Sequence, residues 1–173
     1  MTRPTDELRA DHALIQTGLG ILGAIAGHVR RGGGLPVADT ASTLRFLREF
    51  LIATHFRKEN EIVWPAVTMH LDEHAATSVG ELMLAQDEAA ELIACLVIFW
   101  EPIGELTADE RQGFADTVDA LEKRMAIMAA TEARLFSDCD RDIPLDDRID
   151  WVARFAAIEA ERVARAAWEP KLR

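Results

Sequence analysis

The chain has 173 residues, 49% of them hydrophobic, which is enough for one globular domain with a real core. Its net charge is −11, with only 19 basic residues. That excludes the concentrated Lys and Arg on which nucleic acid and anionic membrane surfaces rely. The two cysteines, Cys95 and Cys139, stand in no CxxC or zinc-like spacing. They read as reduced thiols of a cytoplasmic protein, Cys95 within an apolar helical run and therefore as core. The first residues carry no apolar signal region, and the run 92–100 is too short to span a bilayer.

Strand signals are nearly absent, and helical periodicity recurs along the chain. A first helix is expected over residues 5–31, with Thr5 as N-cap and Asp6 and Glu7 in its first turn. Gly32, Gly33, Gly34 and Pro36 end it. Its apolar stripe is Leu8, His12, Ile15, Leu19, Leu22, Ala26 and Val29. A second helix follows Asp39, its stripe running Leu44, Leu47, Leu51, His55, Glu59, Ile62 and Ala66, and Pro65 should kink or end it near Trp64. Residues 69–74 read as a polar connection. A third helix, 75–100, carries Val79, Leu82, Met83, Gln86, Ala89, Ala90, Ile93 and Val97 on one side, closed by Pro102 and Gly104.

Thr107 and Glu110 form a capping box that opens a fourth helix. Its stripe is Phe114, Val118, Leu121, Met125, Met128, Glu132 and Leu135. Residues 137–144 should break the pattern before a fifth helix over 145–168, whose sticky side is Trp151, Phe155 and Ile158. Four amphipathic helices of about 25 residues with short connections make an all-α, up-down-up-down four-helix bundle the simplest fold. The expected organisation is a bundle over 5–137 and a C-terminal helix over 144–170. That helix would lie on the bundle flank or at a homodimer interface.

Polar residues intrude into each apolar stripe: His12 on the first helix, His55 and Glu59 on the second, Gln86 on the third, Glu132 on the fourth. The four-residue spacing of His55 and Glu59 stacks both on one helical face. Unpaired burial there would cost several kcal/mol. Either a metal ion or a hydrogen-bond network must satisfy them. Imidazole and carboxylate donors without sulfur suit non-heme iron, manganese or zinc.

The segments Asp11-His12-Ala-Leu-Ile15 and His55-Phe-Arg-Lys-Glu59-Asn-Glu-Ile-Val-Trp-Pro65 resemble the hemerythrin-like, or HHE cation-binding, domains. Met128-Ala-Ala-Thr-Glu132 is a weaker echo, and the resemblance covers roughly residues 6–137. It implies a four-helix bundle of the kind that holds two carboxylate-bridged irons, in proteins that bind dioxygen or respond to oxygen, nitric oxide or iron. Carried over by position, His12, His55, Glu59 and Glu132 match metal ligands. Gln86, Ala90 and Met128 stand where the second iron's imidazoles would be. The resemblance therefore implies a partly degenerate iron centre, either one ion or a degenerate diiron site, with Gln86 and Met128 as its neighbours.

His28, His70 and His74 read as surface residues, and Asp87 and Glu91 fall on the face of the third helix away from Gln86. No catalytic triad, phosphate loop or dinucleotide fingerprint occurs. Two classes remain: an iron-binding or other metal-binding protein that senses or handles oxygen, nitric oxide or iron, and a metal-free bundle serving as an interaction or regulatory module.

Overall fold

The computed structural model describes residues 3–100, 105–162 and 165–172, and every regular element among them is helical. Helix α1 is Pro4–Arg30. A continuous second arm comprises α2 (Val37–Phe46), π-helical turns at Leu47–Phe56 and Glu59–Val63, and α3 (Trp64–His70). Then follow α4 (Glu73–Phe99), α5 (Ala108–Asp142), α6 (Leu145–Arg148), α7 (Trp151–Glu161), α8 (Arg165–Trp168) and a 3-10 turn, Glu169–Lys171.

Contacts between residues distant in sequence fix how these elements lie. Thr5 bonds Asp140 while Arg30 reaches Asp119, so α1 and α5 run antiparallel. Ser78 meets Arg134 and Glu88 meets Arg124, so α4 and α5 do too. Asp11 faces Lys58, and Gly18 lies against Phe46, which sets the second arm antiparallel to α1. The molecule is an all-α bundle whose apolar stripes meet on a shared axis. By length and composition α1 could cross a membrane. Here its stripe from Leu8 to Val29 is buried in the core.

Gly18 permits a close approach of α1 to the second arm. A Cβ at this position would strike the ring of Phe46. That ring is fully buried and stacked on Phe50, with Trp168 against its edge, so it has no room to yield.

Several boundaries differ from the sequence expectation. Thr5 is not the N-cap of α1: Pro4 occupies the first turn, the Arg3 N–H is held by the Asp6 carboxylate at 2.8 Å, and Thr5 is buried, donating to Asp140. Pro65 does not end the second arm, which continues to His70. A helical proline clashes with, and cannot donate to, the carbonyl four residues back. The π-helical turn at Glu59–Val63 widens the backbone there, and the freed Glu61 carbonyl accepts from Arg154 at 3.0 Å. The polar connection shrinks to Leu71 and Asp72, with Asp72 capping the Ala75 N–H. Pro102 and Gly104 lie outside the described residues.

The expected break at 137–144 is replaced by helix to Asp142. Cys139 prolongs the buried stripe beyond Phe136, and the nearly buried Asp140 is balanced by Arg9 and Arg148. Termination comes only at Ile143, driven out of helical geometry by Pro144. Among the described residues the single fifth helix is instead three short ones, with Arg162 extended at the end of α7. Cys95 is exposed rather than core, on the solvent side of α4, whereas Cys139 is buried; both are free thiols. Met83 also faces solvent, at the edge of the α4 stripe.

Trp151, Phe155, Ile158 and Trp168 are buried against the bundle. A chain ending at Asp142 would leave their partners open to water, and an apolar patch of that kind promotes association. Such a truncation is expected to aggregate or self-associate in size-exclusion chromatography, where the full chain elutes as a discrete species.

Candidate metal centre

The structure brings the polar intruders of all four bundle stripes to one place. His12 comes from α1, His55 and Glu59 from the π-helical part of the second arm, Gln86 from α4 and Glu132 from α5. The π turns do not separate His55 from Glu59: His55 Nε2 lies 3.4 Å from Glu59 Oε1. His12 Nε2 is 3.9 Å from the same oxygen and 3.2 Å from Glu132 Oε2. The two imidazoles meet edge-on, ring centres 4.8 Å apart. One donor atom each from His12, His55 and Glu59 falls within 4.8 Å of the others.

These groups are close together, yet the atoms that His12, His55, Glu59 and Glu132 leave inside make no aligned hydrogen bond to one another. His12 Nε2, His55 Nε2, Glu59 Oε1 and Glu132 Oε1 are all buried without an aligned partner. A hydrogen-bond network that had replaced a metal would have used these atoms, because each buried orphan costs about 1–3 kcal/mol. The atoms that are bonded point outward from the cluster. Gln86 Nε2 donates to Glu59 Oε2 at 2.7 Å, leaving Oε1 turned toward the histidines. His55 Nδ1 donates to Asp11 Oδ2 at 3.4 Å, which leaves Nε2 as the inward nitrogen. Convergent, unpartnered nitrogen and oxygen atoms fit a transition-metal ion with imidazole and carboxylate ligands.

The electrostatics arise from burial opposed by close partners. Burial lowers the proton affinity of His55, but the Glu59 charge and the Asp11 hydrogen bond outweigh it and push its pKa up to about 10. Burial likewise lowers His12, and the close carboxylates of Glu132 and Glu59 reverse the direction. Glu59 is raised by burial but held below the usual carboxylate range by the two imidazoles, His55 foremost. Glu132 is raised by burial and by the charge of Glu59.

Gln86 and Met128 are buried, Gln86 as the donor to Glu59. Ala90 is half-buried on the same helix as Gln86, while Asp87 and Glu91 face solvent, as do His28, His70 and His74. Phe136 packs on His12 at 5.4 Å and is itself stacked by Trp64, walling one side of the site.

Two residues went unsingled by sequence reasoning. Asp11 is fully buried one position before His12, and Lys58 fully buried one position before Glu59. Each sits about 100° around its helix from the apolar stripe, where a charged residue ordinarily meets water. The available signal was their opposite sign beside the two strongest ligand candidates. Their further partners, Glu159 and Arg165, come from the C-terminal helices.

In the metal-free chain these directions set a pH dependence. The pKa of His55 is raised above its ordinary 6.5, so its stabilising contribution is complete below pH 6.5 and is lost as pH rises toward about 10. Urea denaturation of chelator-treated protein should give a lower midpoint at the alkaline end of this window than at its acid end. His55→Gln should flatten that difference.

Neither the comparison with curated proteins nor that with solved structures returns a match. The family model described as Hemerythrin HHE cation binding domain matches residues 3–137, a stretch that contains His12, His55, Glu59 and Glu132. With that match over most of its length, and with a His and Glu cluster of metal-binding character at its centre, the chain belongs to the hemerythrin HHE cation-binding domain family.

Proposed function

We propose that this protein binds one non-heme iron ion within the bundle and uses it to sense or handle dioxygen, nitric oxide or iron itself. His12, His55 and Glu59 are the proposed ligands, with Glu132 as a fourth from α5. The observation that carries the reading is the convergence of three buried, unpartnered donor atoms, one each from His12, His55 and Glu59, with Glu132 Oε2 3.2 Å from His12. Bound iron would supply one-electron chemistry and affinity for a diatomic gas. The chain's residues supply the rest. Asp11 holds the Nδ1 proton of His55, so that Nε2 is the nitrogen offered inward. Gln86 holds one oxygen of Glu59 and thereby aims the other. Phe136 and Trp64 keep bulk water from the His12 side.

A single ion, rather than two, is supported by what stands on the α4 and α5 side. Gln86 bonds Glu59 through Nε2 and offers only an amide oxygen, a poor ligand for a transition metal, and the thioether of Met128 favours soft ions over iron. Asp87 and Glu91 face solvent and offer no replacement carboxylate. The proposal extends to a cytoplasmic location, to a bundle over 5–137 carrying the segment 144–170, and to partners limited to the ion and a small gas. Nucleic acid and membranes form no part of it, and neither does homodimerisation through Trp151, Phe155 and Ile158, which the bundle already buries.

One observation favours the alternative, a metal-free bundle acting as an interaction or regulatory module. The carboxylates raise the proton affinity of both histidines, so the cluster can balance its own charge as ion pairs. Anaerobic loading with ferrous iron, followed by desalting and metal analysis, separates the two. The iron reading expects about one ion per chain or less, with Gln86 and Met128 in place of further imidazoles. His55→Ala should reduce bound iron to background, and His70→Ala and His74→Ala should leave it unchanged. Because ligand nitrogens must be deprotonated, acidification should release the metal as protons reclaim His12 and His55. A chain that takes up no iron, manganese or zinc under these conditions would favour the metal-free module.

A further inference from the structure

The second cluster of buried charge in this molecule lies directly behind His55. Its centre is the Asp11 carboxylate, fully buried, which receives three donors: His55 Nδ1 at 3.4 Å, Lys58 Nζ at 2.9 Å and Arg165 Nη1 at 2.9 Å. Lys58 is fully buried as well and bonds Glu7 at 3.0 Å and Glu159 at 2.6 Å, with its ammonium over the ring of Phe155. Arg165 also donates to the Glu7 carbonyl at 3.1 Å. Glu159 lies on α7 and Arg165 on α8, both outside residues 3–137.

The division of labour on Asp11 is specific. Lys58 and His55 share Oδ2, whereas Arg165 alone holds Oδ1 among the described residues. A carboxylate fixed at both oxygens cannot rotate about its last torsion, so the oxygen presented to His55 is fixed too. The tautomer and tilt of an imidazole follow from the bond made at its other nitrogen, and loss of such a bond typically weakens metal binding 10- to 100-fold. Simple anchoring of the C-terminal helices does not require this arrangement. Arg57 already ties α7 to the second arm through Glu161 at 2.6 Å, with no link to Asp11.

We infer that Arg165, with Lys58, is a positioning residue of the metal centre: the C-terminal segment completes the cation-binding domain by locking Asp11, and through it the inward face of His55. This rests on the iron-binding reading above. The helices after Asp142 thus act on the site's affinity, and anything that lifts α8 from the bundle loosens His55.

The test compares Arg165→Met, Arg165→Lys and Glu161→Gln in the full-length chain, with ferrous iron added anaerobically as the sole probe and affinity read by competition with a chelator. Circular dichroism checks that helix content is retained. Arg165→Met is expected to bind about tenfold more weakly at unchanged stoichiometry. Arg165→Lys should recover part of the loss, because a single donor to Oδ1 suffices. Glu161→Gln, which weakens that tether by removing its charge without touching Asp11, should bind as the parent does. An Arg165→Met chain with parental affinity would overturn the inference, and so would an equal loss in Glu161→Gln. A second readout needs no metal: the His55 Nδ1 proton, observed by nitrogen-15 NMR, should exchange slowly in the parent and quickly in Arg165→Met. Should the parent bind no metal, the iron reading falls, and this proton still decides whether Arg165 positions His55. Equal exchange in the two chains would count against that role.

Discussion

Everything in this bundle is arranged around the bond between a buried carboxylate, Asp11, and a buried imidazole, His55. Ionised groups in a protein interior demand opposite charge at short range, because desolvation otherwise costs several kcal/mol per ion. Here the demand spreads outward in two directions. Toward the bundle axis, His55 faces Glu59, Glu59 faces His12 and His12 faces Glu132. Toward the flank, Asp11 faces Lys58 and Arg165, and Lys58 faces Glu7 and Glu159. The inner direction needs four helices to meet at one level. The outer one needs the C-terminal helices to fold back over α1 and the second arm.

These two halves differ in how their polar atoms are satisfied, and that difference assigns their roles. On the flank the charged atoms are bonded, with distances from 2.6 to 3.4 Å, as a structural clasp should be. On the axis His12 Nε2, His55 Nε2 and one oxygen each of Glu59 and Glu132 lie without aligned bonds. A protein stabilised by hydrogen bonds alone has no reason to keep such atoms buried and unpartnered. A protein that holds an ion there does, since the ion supplies the missing partner and turns a destabilising arrangement into a binding site.

The backbone shows the same dependence. Pro65 would ordinarily end the second arm, and with it the register that carries His55 and Glu59. The π-helical turns relieve the clash, and Arg154 takes the carbonyl that proline leaves free. π-Helical turns recur at functional sites because the wider turn redirects side chains. In this chain they lie along the two segments that bear His55 and Glu59. The C-terminal region thus supports the site twice, through Arg154 at the backbone and through Arg165 and Glu159 at the charges.

Periodicity alone determined the helical class, the apolar stripes and the intrusion of His12, His55, Glu59, Gln86 and Glu132 into them, because a 3.6-residue repeat fixes which residues share a face. It could not determine that Asp11 and Lys58 would be buried, since each lies off the stripe where charge normally meets water. Only the tertiary structure decided that, by laying α7 and α8 over that face and bringing Glu159 and Arg165 to residues about 100 and 150 positions away. The end of α5 shows the same limit. Ser137, Asp138 and Asp140 read as a polar break, yet helix persists because Arg9 and Arg148, distant or beyond the apparent break, neutralise Asp140. Local sequence fixes faces, whereas the fate of a charge depends on which partner folding brings within about 3 Å of it.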